Sequence, residues 1–270
     1  MKFQMKNLLR DIKWRIIEFG FYNAAENMAI DEAIFQKYAT LGQDTIRFYG
    51  WRPSTVSIGR HQAVEREVDI NQLNAYGFEF VRRISGGGAV FHDEMGELTY
   101  SITTKVGNLE SRNVESQYYE LARFVFEPLV RIGLDLDYDQ IHCPSVFTKG
   151  KKISGNAQAR SGEIILQHGT ILIDYRPEIM YSVLKARPGR TKEAMVESVY
   201  QKVTTLSEQL RYSFTPEKLA NLIINQLKNS TSTESRIQKL EEAELDLALE
   251  ISKKRYQKDS WNFGSDSNLS

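Results

Sequence analysis

The 270-residue sequence predicts an α+β fold, with mixed or antiparallel sheets flanked by helices. Three observations predict it. Strand-forming segments crowd between residues 45 and 174. Amphipathic segments lie among and after them, without the regular strand–helix alternation of a doubly wound parallel sheet. Apolar residues make up 41% and charged residues 26%, which supplies a sizeable core and excludes a chain disordered throughout.

The elements follow in order. MKFQMKNLLRDIKWRIIEFG at the start mixes charge with apolar residues and lacks the long apolar run of a secretory signal. Asn27 to Tyr38 carries Met28, Ile30, Ile34 and Phe35 with acids between them, the pattern of an amphipathic helix. Thr45 to Tyr49 and Thr55 to Ile58 are strand-like around the turn-forming Trp51-Arg52-Pro53-Ser54. Glu79 to Arg83 is a strand that runs into Gly86-Gly87-Gly88 and resumes at Ala89-Val90-Phe91. Glu97 to Thr104 alternates like a half-buried strand. Glu115 to Ile132 reads as a long helix, with Pro128 as a site for a kink. Ser145 to Lys149, Lys151 to Arg160 and Glu163 to Asp174 read as strands joined by hairpin turns at Lys149-Gly150 and Ser161-Gly162. Pro177 to Leu184 and Pro216 to Lys228 read as helices, and a charged amphipathic helix is expected over about 234–258. The expected organisation is one domain over 1–264 and a polar tail over 265–270, with no further C-terminal domain.

Charge and composition exclude several functions. Lys plus Arg and Asp plus Glu are both 35, a balance unlike a general nucleic-acid binder. No segment approaches the ~20 apolar residues of a membrane span. The expectation is a soluble, cytoplasmic protein with neither nucleic acid nor membrane as partner. One cysteine, Cys143, excludes an internal disulfide framework, and four scattered histidines give no zinc signature.

Three stretches carry chemistry. In Arg82-Arg83-Ile84-Ser85-Gly86-Gly87-Gly88-Ala89-Val90-Phe91-His92-Asp93 the glycines allow a sharp bend and close approach to a ligand, while the arginines supply charge for an anion. The plainer reading is a glycine-rich turn with solvated arginines. In Lys149-Gly150-Lys151-Lys152-Ile153-Ser154-Gly155, strand alternation sends Lys151 and Lys152 to opposite faces, so either one could meet a cleft. Gln167-His168-Gly169-Thr170 sets polar groups into an apolar strand pair, where they need partners. His142 beside Cys143 makes no dyad by adjacency alone, because neighbouring side chains diverge in an extended chain.

Together these stretches resemble the lipoate–protein ligase A family, whose superfamily also holds octanoyltransferases and biotin–protein ligases. The resemblance runs from about Ile16 to Gly264, through NMAIDEA, RFYGWRPSTVSIGRHQ, RRISGGGAVFHD, GELTYS, GKKISGNAQAR, QHGTILID and YQKDSWNFG. It implies the biotin/lipoate ligase catalytic-domain fold. It implies an ATP-dependent enzyme that makes lipoyl-AMP from lipoate with Mg²⁺, then acylates a lysine of a lipoyl carrier domain (a 2-oxoacid dehydrogenase E2 or the glycine cleavage H protein). In that reading Lys152 is catalytic and bridges carboxylate and phosphate. Arg83, Gly86, Gly87, Gly88, Ala89, Val90 and Phe91 bind ATP and lipoyl-AMP, while His92, Gly155, His168 and Thr170 position the ligand. No protein metal ligand is expected. Either a separate accessory subunit completes adenylation, or that step is supplied otherwise. Two alternatives stand beside the ligase: an octanoyl or lipoyl transferase with Cys143 as acyl-thioester nucleophile, and a non-catalytic protein that binds lipoyl domains.

Overall fold

Two sheets carry the fold in a computed structural model that describes residues 8–137, 145–231 and 235–264. The larger has seven strands in the order β10-β1-β2-β6-β9-β8-β7. Its members are β1 (Arg15–Tyr22), β2 (Thr45–Trp51), β6 (Glu97–Lys105), β7 (Ser145–Thr148), β8 (Lys151–Ser161), β9 (Ile164–Leu172) and β10 (Arg236–Gln238). β1 runs parallel to β2 and β10, and the pairings from β2 through to β7 are antiparallel. The smaller sheet, order β4-β3-β5, comprises β3 (Thr55–Ile58), β4 (Glu79–Arg82) and β5 (Val90–His92). This is the mixed α+β architecture the sequence predicts.

β6 is buried over all but its last residue, and its alternation divides the interior. Leu98, Tyr100 and Ile102 point into the main core, which also takes Trp14, Phe124, Phe126, Ile223 and Leu227. The last four come from α4 (Val114–Arg131) and α8 (Pro216–Ser230). Thr99, Ser101 and Thr103 point to the other face, where α1 (Ala24–Leu41) lies. Asn23 and Glu26 form a capping box at the start of α1, and Gly42, in the left-handed region at φ 60°, ends it. Ser101 pairs with His168 across β6 and β9, so both polar side chains share the α1 face. The smaller sheet packs Val56, Ile58 and Phe91 against α2 (Val64–Glu67), α3 (Ile70–Ala75) and α5 (Pro177–Val183). Two further helices, α6 (Lys192–Lys202) and α7 (Leu206–Leu210), follow.

The C-terminal segment differs from the single helix expected over 234–258. It begins as β10, continues through α9 (Glu242–Ile251) and a π-helical turn (Ser252–Tyr256), and ends in α10 (Asp259–Asn262). Tertiary pairing overrides the helical pattern at its start, where Arg236 pairs with Arg15 on β1. Arg15 then holds α9 through Glu244, at 2.5 and 2.8 Å in a buried pair. The sequence reading assigned no element to α2, α3, α6, α7 or β1; the last five residues of β1 are at most half-buried, and α6 buries no side chain and so shows weak periodicity. Among the described residues no helix is long and apolar enough to cross a membrane.

Candidate functional site

The bend between β4 and β5 sits at the centre of the candidate site. Gly87 has φ 92°, a left-handed conformation that favours glycine. Its carbonyl lies so close to Gly59 that a Cβ there would meet the oxygen at 2.1 Å. The two arginines before the bend point opposite ways. Arg82 turns to the C-terminal segment, donating to the carbonyls of Trp261 (2.9 Å), Asn262 (3.2 Å) and Gln62 (2.6 Å). Arg83 turns under the bend. It donates to Gly86 O and Gly88 O, both at 2.8 Å, to Ser85 Oγ at 3.1 Å and to Ser57 Oγ at 3.2 Å. Only 4% exposed, its guanidinium has its pKa pulled down by burial to about 10 and stays charged at neutral pH.

Both serines lead to a histidine and then an acid. Ser85 Oγ lies 2.6 Å from His168 Nε2, whose Nδ1 faces Asp31 Oδ2 at 3.5 Å. Ser57 Oγ lies 2.8 Å from His92 Nε2, whose Nδ1 lies 2.6 Å from Glu97 Oε1. Asp31, on α1, also accepts from Arg47, Tyr49 and Ser101, each at 2.8 Å. Burial alone would raise its carboxyl pKa. Arg47 and the hydrogen bonds outweigh that and hold it below the ordinary value.

Across the bend stands the β7–β8 hairpin. Its turn places Lys149 at φ 48° and Gly150 at φ 74°, the two positive values a tight two-residue turn requires. The two lysines that follow part company. Lys151 Nζ donates to Tyr200 O at 3.1 Å. Lys152 is tied by its carbonyl to Thr204 N at 2.9 Å, and its side chain reaches forward along β8 to Gly155. A Cβ at Gly155 would lie 3.2 Å from Lys152 Nζ, and one at Gly87 would lie 3.9 Å from Ala157 Cβ. Gly155 and Ala157 share one face of β8. The Lys152 ammonium and the glycine bend therefore face the same small-residue surface. Among the described residues, no hydrogen bond or ion pair reaches that ammonium. Burial lowers its pKa, and the nearby charge of Arg187 lowers it further.

The expected site residues thus fall into two sets. Arg83, His92 and His168 lie buried beneath the bend. Lys152, Gly155 and Thr170 lie across from it, with Gly155 N donating to Thr170 Oγ1 at 3.3 Å. Ala89 and Phe91 pack into the apolar cluster of the smaller sheet, and Val90 starts β5. Cys143 lies outside the described residues. Sequence reasoning missed Asp31, Ser57, Ser85 and Glu97. The available signal was Asn27 and Asp31, four residues apart on the face of α1 that also carries Ala24 and Met28, where a buried polar pair needs a partner. Among the described residues no group of three or more His, Cys, Asp or Glu side chains is placed to hold a metal ion.

Comparison with known proteins places this geometry. The lipoyl protein ligase A/B catalytic domain profile matches residues 23–228, and the chain belongs to that family. Within it, curated relatives that span the chain are octanoyltransferases. LipM from Anoxybacillus flavithermus is 30% identical over 93% of this chain and 98% of its own length. LipM from Bacillus subtilis is 27% identical over the same shares. Among solved structures, the bipartite lipoate protein ligase of Thermoplasma acidophilum superposes with a TM-score of 0.80 at 25% identity, covering 94% of this chain and 97% of that one. A lipoate–protein ligase A bound with ATP superposes with a TM-score of 0.76 at 25% identity, covering 94% and 99%.

The octanoyltransferase relatives overturn the expectation of an ATP-dependent lipoate ligase, and with it the requirement for ATP, Mg²⁺ and free lipoate. The physical reason for the error is that a glycine bend facing a lysine suits any acyl carbonyl, whether the leaving group is AMP or a thiol. The accessory subunit loses its basis too, because acyl transfer from a thioester needs no adenylation.

Proposed function

We propose that this chain is an octanoyltransferase that moves an octanoyl group from a carrier-protein thioester to a lysine of a lipoyl carrier domain, in two steps through Cys143. In the first, the Cys143 thiolate attacks the thioester carbonyl, the carbon–sulfur bond to the donor breaks, and the donor thiol leaves with a proton. In the second, the target ε-amine attacks the Cys143 thioester, the amide bond forms, and the Cys143 sulfur leaves while the amine gives up a proton. Lys152 supplies positive charge to the carbonyl oxygen as it becomes an oxyanion in both steps. The bend at Gly86 to Gly88 lets the chain close over the acyl group. The target domains are the E2 subunits and the glycine cleavage H protein that lipoylation serves.

One observation carries the reading: the Lys152 ammonium is desolvated, has no partner among the described residues, and stands against a surface of glycine and alanine. A cation held this way is ready for an oxygen that arrives with the substrate. The test combines the chain, an octanoyl-loaded carrier protein and a lipoyl domain, and follows intact masses without ATP. The lipoyl domain gains an octanoyl group, the chain passes through an octanoylated form, and Cys143→Ser stops both. Acylation that requires free acid and ATP, or that survives Cys143→Ser, would refute the proposal.

A further inference from the structure

The two serine–histidine–acid chains enter the same guanidinium from two directions. Arg83 donates Nε–H to Ser85 Oγ and Nη1–H to Ser57 Oγ. Each hydroxyl then has its own proton to give, and a ring nitrogen within reach: His168 Nε2 at 2.6 Å and His92 Nε2 at 2.8 Å. For Ser85 the direction follows from the inventory of donors. Arginine only donates, so Ser85 accepts from it; the Asp31 carboxylate only accepts and faces His168 Nδ1 at 3.5 Å, which favours the ring proton on that nitrogen and leaves Nε2 to accept from Ser85 Oγ. All of these side chains are buried, and Ser85 is fully so. Arg83 reaches the bend itself, through Gly86 O and Gly88 O.

We propose that His168 is a positioning residue: through Ser85 it fixes Arg83 against the carbonyls of Gly86 and Gly88, and so sets the shape of the bend that closes over the acyl group opposite Lys152. This rests on the transfer reading above. Glu97, His92 and Ser57 brace the same guanidinium from β6, β5 and β3. Protonation of His168 breaks the arrangement. It converts the Nε2 acceptor into a donor, strands the Ser85 proton, and adds a second cation beside Arg83. The charged and titratable groups that face the ring are Asp31 from α1, Arg83 after β4 and His92 from β5. Asp31 favours the protonated ring. Burial, Arg83 and His92 oppose it, and the net effect lowers the His168 pKa.

The test uses the full chain and three variants: Ser85→Ala, His168→Leu and His168→Gln. The glutamine keeps an oxygen near the position of Nε2. Three readouts apply. Nitrogen NMR of the His168 ring is expected to report the neutral Nδ1–H tautomer in the wild type. Hydrogen exchange at the Gly86 to Gly88 amides is expected to quicken about tenfold or more in Ser85→Ala and His168→Leu, and to return towards wild type in His168→Gln. Octanoyl transfer is expected to lose kcat in the first two variants with KM for the donor little changed, and to recover in the third. A ring protonated at Nε2, or a folded Ser85→Ala whose bend exchanges and transfers like wild type, overturns the proposal. The ring signal and the exchange rates need no turnover. A chain that transfers nothing but shows both would sink the octanoyltransferase reading and leave the role of His168 standing.

Discussion

Arg83 and Lys152 are two cations beside one glycine bend, and their surroundings are opposite. Arg83 has four hydrogen bonds to protein oxygens, two of them to the bend itself. The Lys152 ammonium has none among the described residues, and its neighbours are Gly155 and the charge of Arg187. Burial lowers the pKa of both. The difference teaches how to tell scaffold from site. A buried cation whose donors are all engaged by the fold holds the backbone in place, whereas one whose donors are free is set up for a ligand oxygen.

Removing the engaged cation has the largest expected effect. Arg83→Met leaves two carbonyls and two hydroxyls without their donor, and it is expected to cost about 3–5 kcal/mol of stability. Urea unfolding measures it, and a loss near zero would break the comparison. Lys152→Ala is the converse. Transfer is expected to fall about 10²–10³-fold, the scale for removing one preorganised oxyanion partner. The urea midpoint stays the same or rises, because a desolvated and unpaired charge leaves with the side chain. A destabilised Lys152→Ala with normal transfer would reverse the two roles.

Acid sharpens the contrast on the Arg83 side. The folded pKa of His168 lies below its ordinary 6.5, so below that value the unfolded chain binds the proton more readily than the fold does. The contribution to stability is complete above about pH 6.5 and declines as pH falls through that value towards the lower folded one. Unfolding at pH 7.5 and 5.5 is expected to show a larger acid loss in wild type than in His168→Gln. The smallest effect falls on the Lys152 side. In Gly155→Ala the new methyl carbon would lie 3.2 Å from Lys152 Nζ and push the flexible ammonium aside by a few tenths of an ångström. Stability is expected to hold while transfer drops by about tenfold or less.

Much of this was legible in the residues, and the exceptions share a cause. The strands around the bend, the hairpins at Lys149-Gly150 and Ser161-Gly162, and the helices at α1, α4 and α8 follow from alternation, glycine and capping, which act within a few residues. Lys152 and the glycines were identifiable as chemistry-bearing for the same reason. Asp31 and Ser85 were not, because each looks ordinary in its own segment and acquires a role only by meeting His168. Ser85 and His168 stand 83 positions apart. The choice between ligase and transferase was equally hidden, since both chemistries ask the same local residues to hold an acyl carbonyl.

The order of turns and alternating strands by itself determined the α+β class and the glycine bend between β4 and β5, because those depend on backbone preferences that each short segment carries alone. Only the folded chain decided that Lys152 and not Lys151 faces the bend, that Arg83 turns inward while Arg82 grips the C-terminal segment, and that two histidines brace one guanidinium. Those outcomes depend on register between strands and on which desolvated donor finds which acceptor. Such pairings form only once distant segments share one interior.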